Sequence, residues 1–224
     1  MINWVRRKTQ SFEPFPYATV CLVSTNVIVY LILAIAYEFS IWNIFAPSEQ
    51  ALATWGQDNR AIIEGWQIYR LGTAMFVHLH IVHLGSNVLF LVIFSLRFEE
   101  LRSSRELLLV YLASGLAGNL LTLLWGPDYL SVGASGAVFG VFGANLIFLR
   151  RYYRQQIRTA LFIAFIFFTI TIGVDTNVFA HAGGLCSGLL LGRFLEQYSR
   201  DAPHYRPKVQ RRRKIRGRDR IRER

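Results

Sequence analysis

Charged residues are scarce in this sequence. Asp, Glu, Lys and Arg together make up 17% of its 224 residues, whereas a soluble domain usually has about 25%. The charged residues that do occur are concentrated at the two ends and in short clusters, and long apolar runs lie between them. A helix that spans a membrane needs about 20 mostly apolar residues. The distribution therefore disfavours a soluble protein and predicts an all-α membrane protein.

Cysteine is nearly absent as well. The two cysteines, Cys21 and Cys186, both lie in apolar runs. Their number and position argue against a disulfide framework and against a zinc site built from thiolates. We expect both side chains to be small, buried and apolar in character.

Acidic residues are few, with 14 Asp and Glu against 25 Lys and Arg, so the formal net charge is +11. Such an excess can indicate nucleic-acid binding, but most of it lies in the tail after Tyr198, where apolar residues are almost absent. A segment of this composition is expected to be disordered. Beside a membrane it would contact anionic lipid headgroups, and we favour that interpretation over a nucleic-acid partner.

Six apolar runs predict six transmembrane helices. They cover about 17–37, 74–96, 107–125, 134–149, 159–174 and 179–195. The first run is longer than the roughly 7–15 apolar residues of a signal peptide, so we interpret it as an uncleaved span. The fourth run has about 16 residues, or ~24 Å of helix, against a hydrocarbon core of ~30 Å. We therefore expect a short central helix, recessed from the outer surface, with water above its start.

These runs divide the chain into three parts, namely a cytoplasmic segment at 1–16, a six-helix membrane domain at 17–197 and a basic tail at 198–224. Between the first two runs, residues 38–73 form a long loop in which Trp and Tyr favour the headgroup region. With the N-terminus inside, 23 of the 25 Lys and Arg fall on the inner side. Positive residues favour the cytoplasmic side, so both termini are predicted to be cytoplasmic.

Four polar side chains in the apolar runs are candidates for chemistry: His83, Asn87, Ser135 and His181. Polar groups inside a bilayer are unfavourable and usually functional. In the predicted topology the second, fourth and sixth helices all enter from the outer side, and each candidate lies near the start of its helix. All four should therefore lie at a similar depth in the outer leaflet.

Ser135 is the candidate nucleophile. It lies between Gly133 and Gly136, at the predicted start of the fourth helix, where free main-chain N–H groups favour a negative charge. A serine there can attack a carbonyl carbon while its own N–H binds the resulting oxyanion. The alternative is a small residue that allows close helix packing.

His181 is the candidate base, because helix packing can bring it to Ser135. It precedes Gly184, Gly188 and Gly192, which repeat at a spacing of four and so share one helix face. The fourth helix carries small residues at the same spacing, beginning with Gly136 and Gly140. Two such faces allow close approach of the backbones. A structural histidine is the alternative.

His83 and Asn87 are four positions apart and share a face of the second helix. Both can donate hydrogen bonds to an oxyanion, although helix–helix contacts are an alternative role. A metal site at His78, His80 and His83 is disfavoured, because no carboxylate or thiolate accompanies this spacing. No acidic residue clearly completes a triad, since Asp175 falls in a predicted loop where capping is the expected role.

At these residues the chain resembles the rhomboid proteases, over about Gly56 to Gly192. The matching segments are Thr73-Ala-Met-Phe-Val-His78, His83-Leu-Gly-Ser-Asn87, Tyr111-Leu-Ala-Ser-Gly-Leu-Ala-Gly-Asn119, Gly133-Ala-Ser-Gly136 and Ala180-His-Ala-Gly-Gly184. The combination is specific, whereas any one segment alone is weak. The chain departs from the family at position 139, where Phe139 replaces a frequent tyrosine, and at Tyr69-Arg70, where the family has Trp-Arg.

The resemblance implies a six-helix fold that cleaves transmembrane protein substrates near their outer ends, without a metal or cofactor. It assigns Ser135 as nucleophile, His181 as base, and His83 and Asn87 as oxyanion donors. The bare six-helix core suggests a bacterial plasma membrane. Two other readings are an inactive relative that binds transmembrane clients, and a small transporter or channel, which would place polar groups nearer the middle of the bilayer.

Overall fold

The computed structural model describes residues 15–37, 44–152, 162 and 176–201. Within them the chain is mostly helical. The α-helices are α1 (Tyr17–Ala36), α2 (Glu49–Trp55), α3 (Asn59–Ile63), α4 (Arg70–Thr73), α5 (Ile81–Leu101), α6 (Ser104–Thr122), α7 (Ser135–Tyr152) and α8 (Val178–Asp201). Short 3₁₀ turns cover Ala74–Phe76 and Leu123–Trp125, and two-residue strands form β1 (Gln57–Asp58) and β2 (Leu130–Ser131).

Four described helical segments are long and apolar enough to cross a membrane. They are Tyr17–Ala36, Ile81–Leu101, Ser104–Trp125 and Val178–Tyr198, and Ser135–Leu149 is a shorter apolar helix. These five segments correspond to five of the six predicted runs. The other run, 159–174, lies outside the described residues except for position 162. The predicted disorder of the tail, from position 202 onward, also falls outside them.

The predicted start of the second helix at residue 74 is wrong. α5 begins at Ile81, because His80 caps it: the Nδ1 atom of His80 accepts the His83 main-chain N–H at 3.0 Å. Residues 74–76 form a separate 3₁₀ turn, and Val77 is extended. Apolar composition alone could not separate these segments.

Two charged segments are also more helical than predicted. Residues 97–101, expected in a loop, are the last turn of α5, and α6 begins at Ser104 after a capping box formed by Ser103 and Glu106. α8 continues to Asp201, so the first residues of the predicted disordered tail are helical. Charge at a helix end does not interrupt main-chain hydrogen bonding, since such side chains can extend into water.

Two further expectations fail on details. The segment 38–73 contains α2, α3 and α4, and its strand β1 pairs antiparallel with β2, with Gln57 opposite Ser131. The fold is therefore not purely α-helical. Cys21 and Cys186 are exposed rather than buried, because an apolar side chain on a membrane helix can face outward as well as inward.

α7 lies at the centre of the described helices. It packs on α5, α6 and α8, and α8 makes its most extensive contact. Its side chains Ala137, Val138 and Val141 are 0–1% exposed. Aromatic rings fill the space between α7 and α5, where the rings of Phe94 and Phe142 lie 5.0 Å apart. This packing fixes the position of the N-terminal end of α7, at which Ser135 lies.

Candidate active site

Ser135 is the first residue of α7, and the turn before it is held in place. The Gly133 N–H donates to the Ala74 carbonyl at 2.9 Å, and the Val138 N–H donates to the Ala134 carbonyl at 3.0 Å. Gly133 has φ of 129°, a conformation that side chains rarely adopt. Ser135 is 9% exposed. The first N–H groups of a helix have no partner within it, so Ser135 lies at a helix end with free main-chain donors.

His181 lies in the first turn of α8 and reaches Ser135. Its Nε2 atom is 2.8 Å from the Ser135 Oγ, although the two residues are 46 positions apart. The ring is 5% exposed and lies 4.4 Å from the ring of Phe139, tilted by 31°. With the proton on Nδ1, Nε2 accepts the Ser135 hydroxyl. The aromatic ring of Phe139 therefore packs against the imidazole of His181.

The two glycine rows lie in direct contact. A Cβ atom on Gly184 would be 2.0 Å from the Gly136 carbonyl oxygen, and one on Gly188 would be 2.0 Å from the Gly140 carbonyl oxygen. Gly192 continues the contact at Ala144. Such separations allow no side chain, so α7 and α8 touch through their backbones. This contact brings Ser135 and His181 within hydrogen-bond distance.

His83 lies beside Ser135, against Gly133. A Cβ atom on Gly133 would be 3.0 Å from the His83 Nε2 and 3.9 Å from the Ser135 N–H nitrogen. The Leu79 N–H points to the Nδ1 atom of His83 at 3.4 Å. Because a main-chain N–H can only donate, Nδ1 is an acceptor there, and the ring proton then lies on Nε2. An N–H donor therefore faces the turn before Ser135.

Asn87 is placed differently from His83. It is 1% exposed, and its Nδ2 atom donates to the His83 carbonyl at 2.9 Å, one turn earlier in α5. His83 lines the cavity above Ser135, whereas Asn87 is not among the described residues that do so. The structure thus brings three of the four predicted site residues to the cavity wall, and Asn87 is hydrogen-bonded to the main chain of one of them.

The cavity above the Ser135–His181 pair has an empty volume of about 820 Å³, counting the part that is open to solvent. Besides Ser135, His181 and His83, its wall includes polar side chains that the sequence did not single out: Ser86, Asn119, Ser131, Thr176 and Asn177. Of these, Asn177 had a recognisable signal, since Asn is a preferred residue immediately before a helix.

The other sequence candidates are the histidines considered for a metal site and Asp175. His78 is fully buried, and its ring lies 5.2 Å from that of His83. In the described part of the chain, no three His, Cys, Asp or Glu side chains are grouped so as to hold a metal ion. Asp175 lies outside the described residues. Nδ1 of His181 has no hydrogen-bond partner among the residues that are described.

Comparisons with known proteins identify the family of this chain. The sequence profile of the Rhomboid domain matches residues 65–198. "Rhomboid-like protease 3" of Toxoplasma gondii is 30% identical over 172 residues, which cover 72% of this chain and 64% of that protein. "RHOMBOID-like protein 6, mitochondrial" of Arabidopsis thaliana is 36% identical over 156 residues, covering 66% of this chain and 51% of that protein.

A bacterial relative matches over more of its length. "Putative rhomboid protease YdcA" of Bacillus subtilis is 29% identical over 197 residues, covering 82% of this chain and 92% of that protein. The chain thus spans about half to two thirds of the first two relatives and nearly all of this one. Its long apolar helices and the profile match define an integral membrane protein. The chain belongs to the rhomboid family.

Proposed function

We propose that this protein is an intramembrane serine endopeptidase in which Ser135 is the nucleophile and His181 the base. The observation that carries the proposal is the 2.8 Å separation of the Ser135 Oγ and the His181 Nε2 at the start of two membrane helices. A serine is a weak nucleophile unless an adjacent base takes its proton. Ser135 has that base, a helix N-terminus and an open cavity.

The reaction proceeds through an acyl-enzyme. The Ser135 hydroxyl proton moves to the His181 Nε2 as Oγ attacks the substrate carbonyl carbon. The C–N bond of the tetrahedral intermediate then breaks, and His181 gives its proton to the departing amine. Water next attacks the ester, with His181 again accepting a proton. When the C–Oγ bond breaks, that proton returns to Ser135, and the carboxylic acid product leaves.

The developing oxyanion is held by hydrogen-bond donors. A Cβ atom at Gly133 would lie 3.0 Å from the His83 Nε2 and 3.9 Å from the Ser135 nitrogen, so both donors are next to Gly133. Glycine suits this position because a side chain there would crowd both groups. We assign Asn87 a supporting role, since its amide holds the His83 carbonyl; its second N–H can add a donor. Donors fixed before the reaction are the most effective ones.

The substrates are transmembrane proteins, cleaved near their outer ends. The relatives named as rhomboid proteases support this assignment, and the site lies at the ends of α7 and α8 rather than in the middle of an apolar helix. We further propose six membrane helices with a short central α7, both termini in the cytoplasm of a bacterium, and a basic tail from 198 on that contacts anionic lipids. The 23-to-2 distribution of basic residues supports the orientation.

Two other functions are disfavoured by the site. An inactive relative that only binds transmembrane clients has no use for a serine hydroxyl and an imidazole at 2.8 Å. A transporter would be expected to have its polar groups near the bilayer midplane. Neither alternative has a specific observation in its favour.

The test combines cleavage with covalent labelling. The purified protein in detergent is incubated with a model transmembrane substrate, and separately with a fluorophosphonate, which reacts with activated serines. We expect cleavage, and an adduct that mass spectrometry maps to Ser135. Ser135→Ala should lose both, whereas Ser24→Ala, which changes an exposed serine on α1, should keep both. Cleavage that persists in folded Ser135→Ala would rule out the proposed mechanism.

A further inference from the structure

Asn177 holds the first turn of α8 with two hydrogen bonds, one to its side chain and one to its main-chain carbonyl. Its Oδ1 atom accepts the Ala180 N–H at 2.9 Å, which caps the helix. Its main-chain carbonyl accepts the His181 N–H at 3.1 Å, which is the first hydrogen bond of α8. Asn177 is 7% exposed. Asn177, which immediately precedes α8, is therefore tied to the helical turn that carries His181.

The side-chain amide nitrogen of Asn177 makes its hydrogen bonds outside α8. Nδ2 donates to the Thr122 Oγ1 at 2.8 Å and to the Ser131 Oγ at 2.8 Å. The orientation of the amide follows from its partners, because the Ala180 N–H can only face an oxygen. Nδ2 then has two N–H groups for two hydroxyl oxygens, and the side chain has a partner at every donor.

These two hydroxyls belong to different parts of the site. Thr122 is fully buried at the end of α6. Ser131 lies in β2, four positions before Ser135 in the turn that leads to it. Asn177 thus connects three elements with one side chain: the end of α6, the segment that enters α7, and the start of α8.

The glycine contacts alone restrain the movement of α8 along its own axis less than they restrain its distance from α6 and α7. Cβ atoms on Gly118 and Gly136 would lie 2.5 Å and 3.1 Å from the Ala180 carbonyl oxygen, so α6 and α7 confine this turn from two sides. Such contacts fix how close the helices are. A surface without side chains offers few ridges and grooves against sliding along the helix axis. The hydrogen bonds of Asn177 supply that restraint at the outer end.

We propose that Asn177 is a positioning residue, which sets the height of His181 relative to Ser135 by joining α8 to Thr122 and Ser131. The proposal rests on the function proposed above for Ser135 and His181. A displacement of about 1 Å between reacting groups can lower a rate by ~10²-fold. Loss of the two Nδ2 hydrogen bonds should therefore reduce the chemical step more than substrate binding.

Two variants distinguish the capping role of the Asn177 oxygen from the hydrogen bonds that its nitrogen donates to Thr122 and Ser131. Asn177→Ser keeps a capping oxygen but is too short to reach the two hydroxyls. The double variant Thr122→Val, Ser131→Ala removes the hydroxyls and leaves the cap intact. Asn145→Ser is the matched control: Asn145 is also buried, and its Nδ2 donates to the Phe94 carbonyl at 2.8 Å, but it lies ten positions along α7 from Ser135, about 15 Å.

The measurement is kcat and KM on one transmembrane substrate in one detergent, with kcat expressed per site titrated to completion by a fluorophosphonate. We expect Asn177→Ser to lower kcat by about 10- to 100-fold, with KM changed less than about twofold. The Thr122→Val, Ser131→Ala variant should show a loss of the same size. Adding Asn177→Ser to it should change kcat by less than about twofold more, since groups that act as one unit lose their function together.

Asn145→Ser should lower the thermal unfolding midpoint and leave kcat per titrated site within about twofold of wild type. An unchanged kcat in both the Asn177 and the hydroxyl variants would overturn the proposal, as would a raised KM with unchanged kcat, which indicates a substrate contact. If Asn177→Ser yields no sites that the fluorophosphonate can titrate, the kcat and KM of the Thr122→Val, Ser131→Ala variant test the proposal by the same criteria. A wild-type protein without Ser135-dependent cleavage is a different outcome, because it overturns the proposed function itself.

Discussion

Gly188 on α8 faces the main-chain carbonyl of Gly140 on α7 so closely that a Cβ atom at position 188 would lie 2.0 Å from the carbonyl oxygen. Ordinary van der Waals contact requires 3.4 Å or more. One turn earlier, Gly184 faces Gly136 in the same way, and Gly136 follows Ser135 directly. The alignment of Ser135 with His181 thus depends on the absence of side chains along this contact.

A methyl group at position 188 should consequently separate the helices. We expect Gly188→Ala to lower both the thermal unfolding midpoint and the cleavage rate, since overpacking commonly costs about 1–3 kcal/mol or more, and Gly188→Leu to abolish activity. Gly85→Ala is the control, because a Cβ there meets nothing within 4 Å; it should be neutral or stabilising by up to ~1 kcal/mol. A fully active Gly188→Leu protein would contradict the importance of this contact.

The Ser135–His181 pair should behave as a single unit. We expect Ser135→Ala and His181→Ala each to reduce cleavage to background, and the double variant to lose nothing further. The measurement is cleavage of one transmembrane substrate by all three variants, purified in the same detergent and compared by thermal unfolding. Strong activity in folded His181→Ala, with Ser135 still required, would indicate another base.

The proposed oxyanion donors His83 and Asn87 should contribute less to the cleavage rate than Ser135 and His181 do. Removing one such donor lowers a rate by roughly 10²–10³-fold, so His83→Ala should retain weak activity. Asn87→Ala should lose less, because Asn87 is not among the described residues that line the cavity and Ser135 N–H remains in place. Rates per titrated site provide the comparison. Equal and complete loss in both variants would show that the two residues are not merely donors.

Glu99 should anchor α1 to the rest of the protein. Its carboxylate accepts the Ala18 N–H at 3.2 Å and the Thr19 N–H at 3.0 Å, both in the first turn of α1. Hydrogen bonds to charged groups contribute about 1.5–3 kcal/mol, so Glu99→Gln should lower the thermal midpoint clearly. Glu100→Gln, at an exposed neighbouring position, should change it little. Similar midpoints for the two variants would argue against the anchor.

The membrane orientation can be tested by labelling. Cysteines introduced in the 126–133 segment, in a protein whose Cys21 and Cys186 are replaced, should react with an impermeant maleimide added outside intact cells. Cysteines in the 150–158 segment should react only after the cells are opened. This result is expected because basic residues favour the cytoplasmic side. Labelling of the 150–158 segment in intact cells would reverse the topology.

Composition and spacing predicted much of the helical architecture. Five apolar runs correspond to described helices. A run of about 20 apolar residues can be recognised directly in the sequence, and in a membrane such a run must satisfy its main-chain hydrogen bonds internally, as a helix does. The positions of the ends were less predictable. The start of α5 depends on the side chain of His80, and the residues after Leu96 stay helical although they are charged. Both are local effects that apolar composition does not report.

The sequence also identified Ser135 and His181 as candidates, because polar groups next to glycine rows are unusual in membrane helices. It could not rank His83 and Asn87, which share a face of α5 yet differ in the structure: one lines the cavity and the other holds a carbonyl. Nor did it single out Asn177. Its partners Thr122 and Ser131 are 55 and 46 positions away, and no local pattern records contacts at such separations.

The sequence by itself thus determined the class of protein, five of the apolar helices and the candidate residues for the chemistry, since each depends on side-chain type and short-range spacing. The tertiary structure decided the 2.8 Å approach of Ser135 and His181, the separate positions of His83 and Asn87, and the connection made by Asn177. The physical reason is that helix-to-helix distance and height are set by backbone contacts and hydrogen bonds between distant parts of the chain, which exist only once α6, α7 and α8 have packed together.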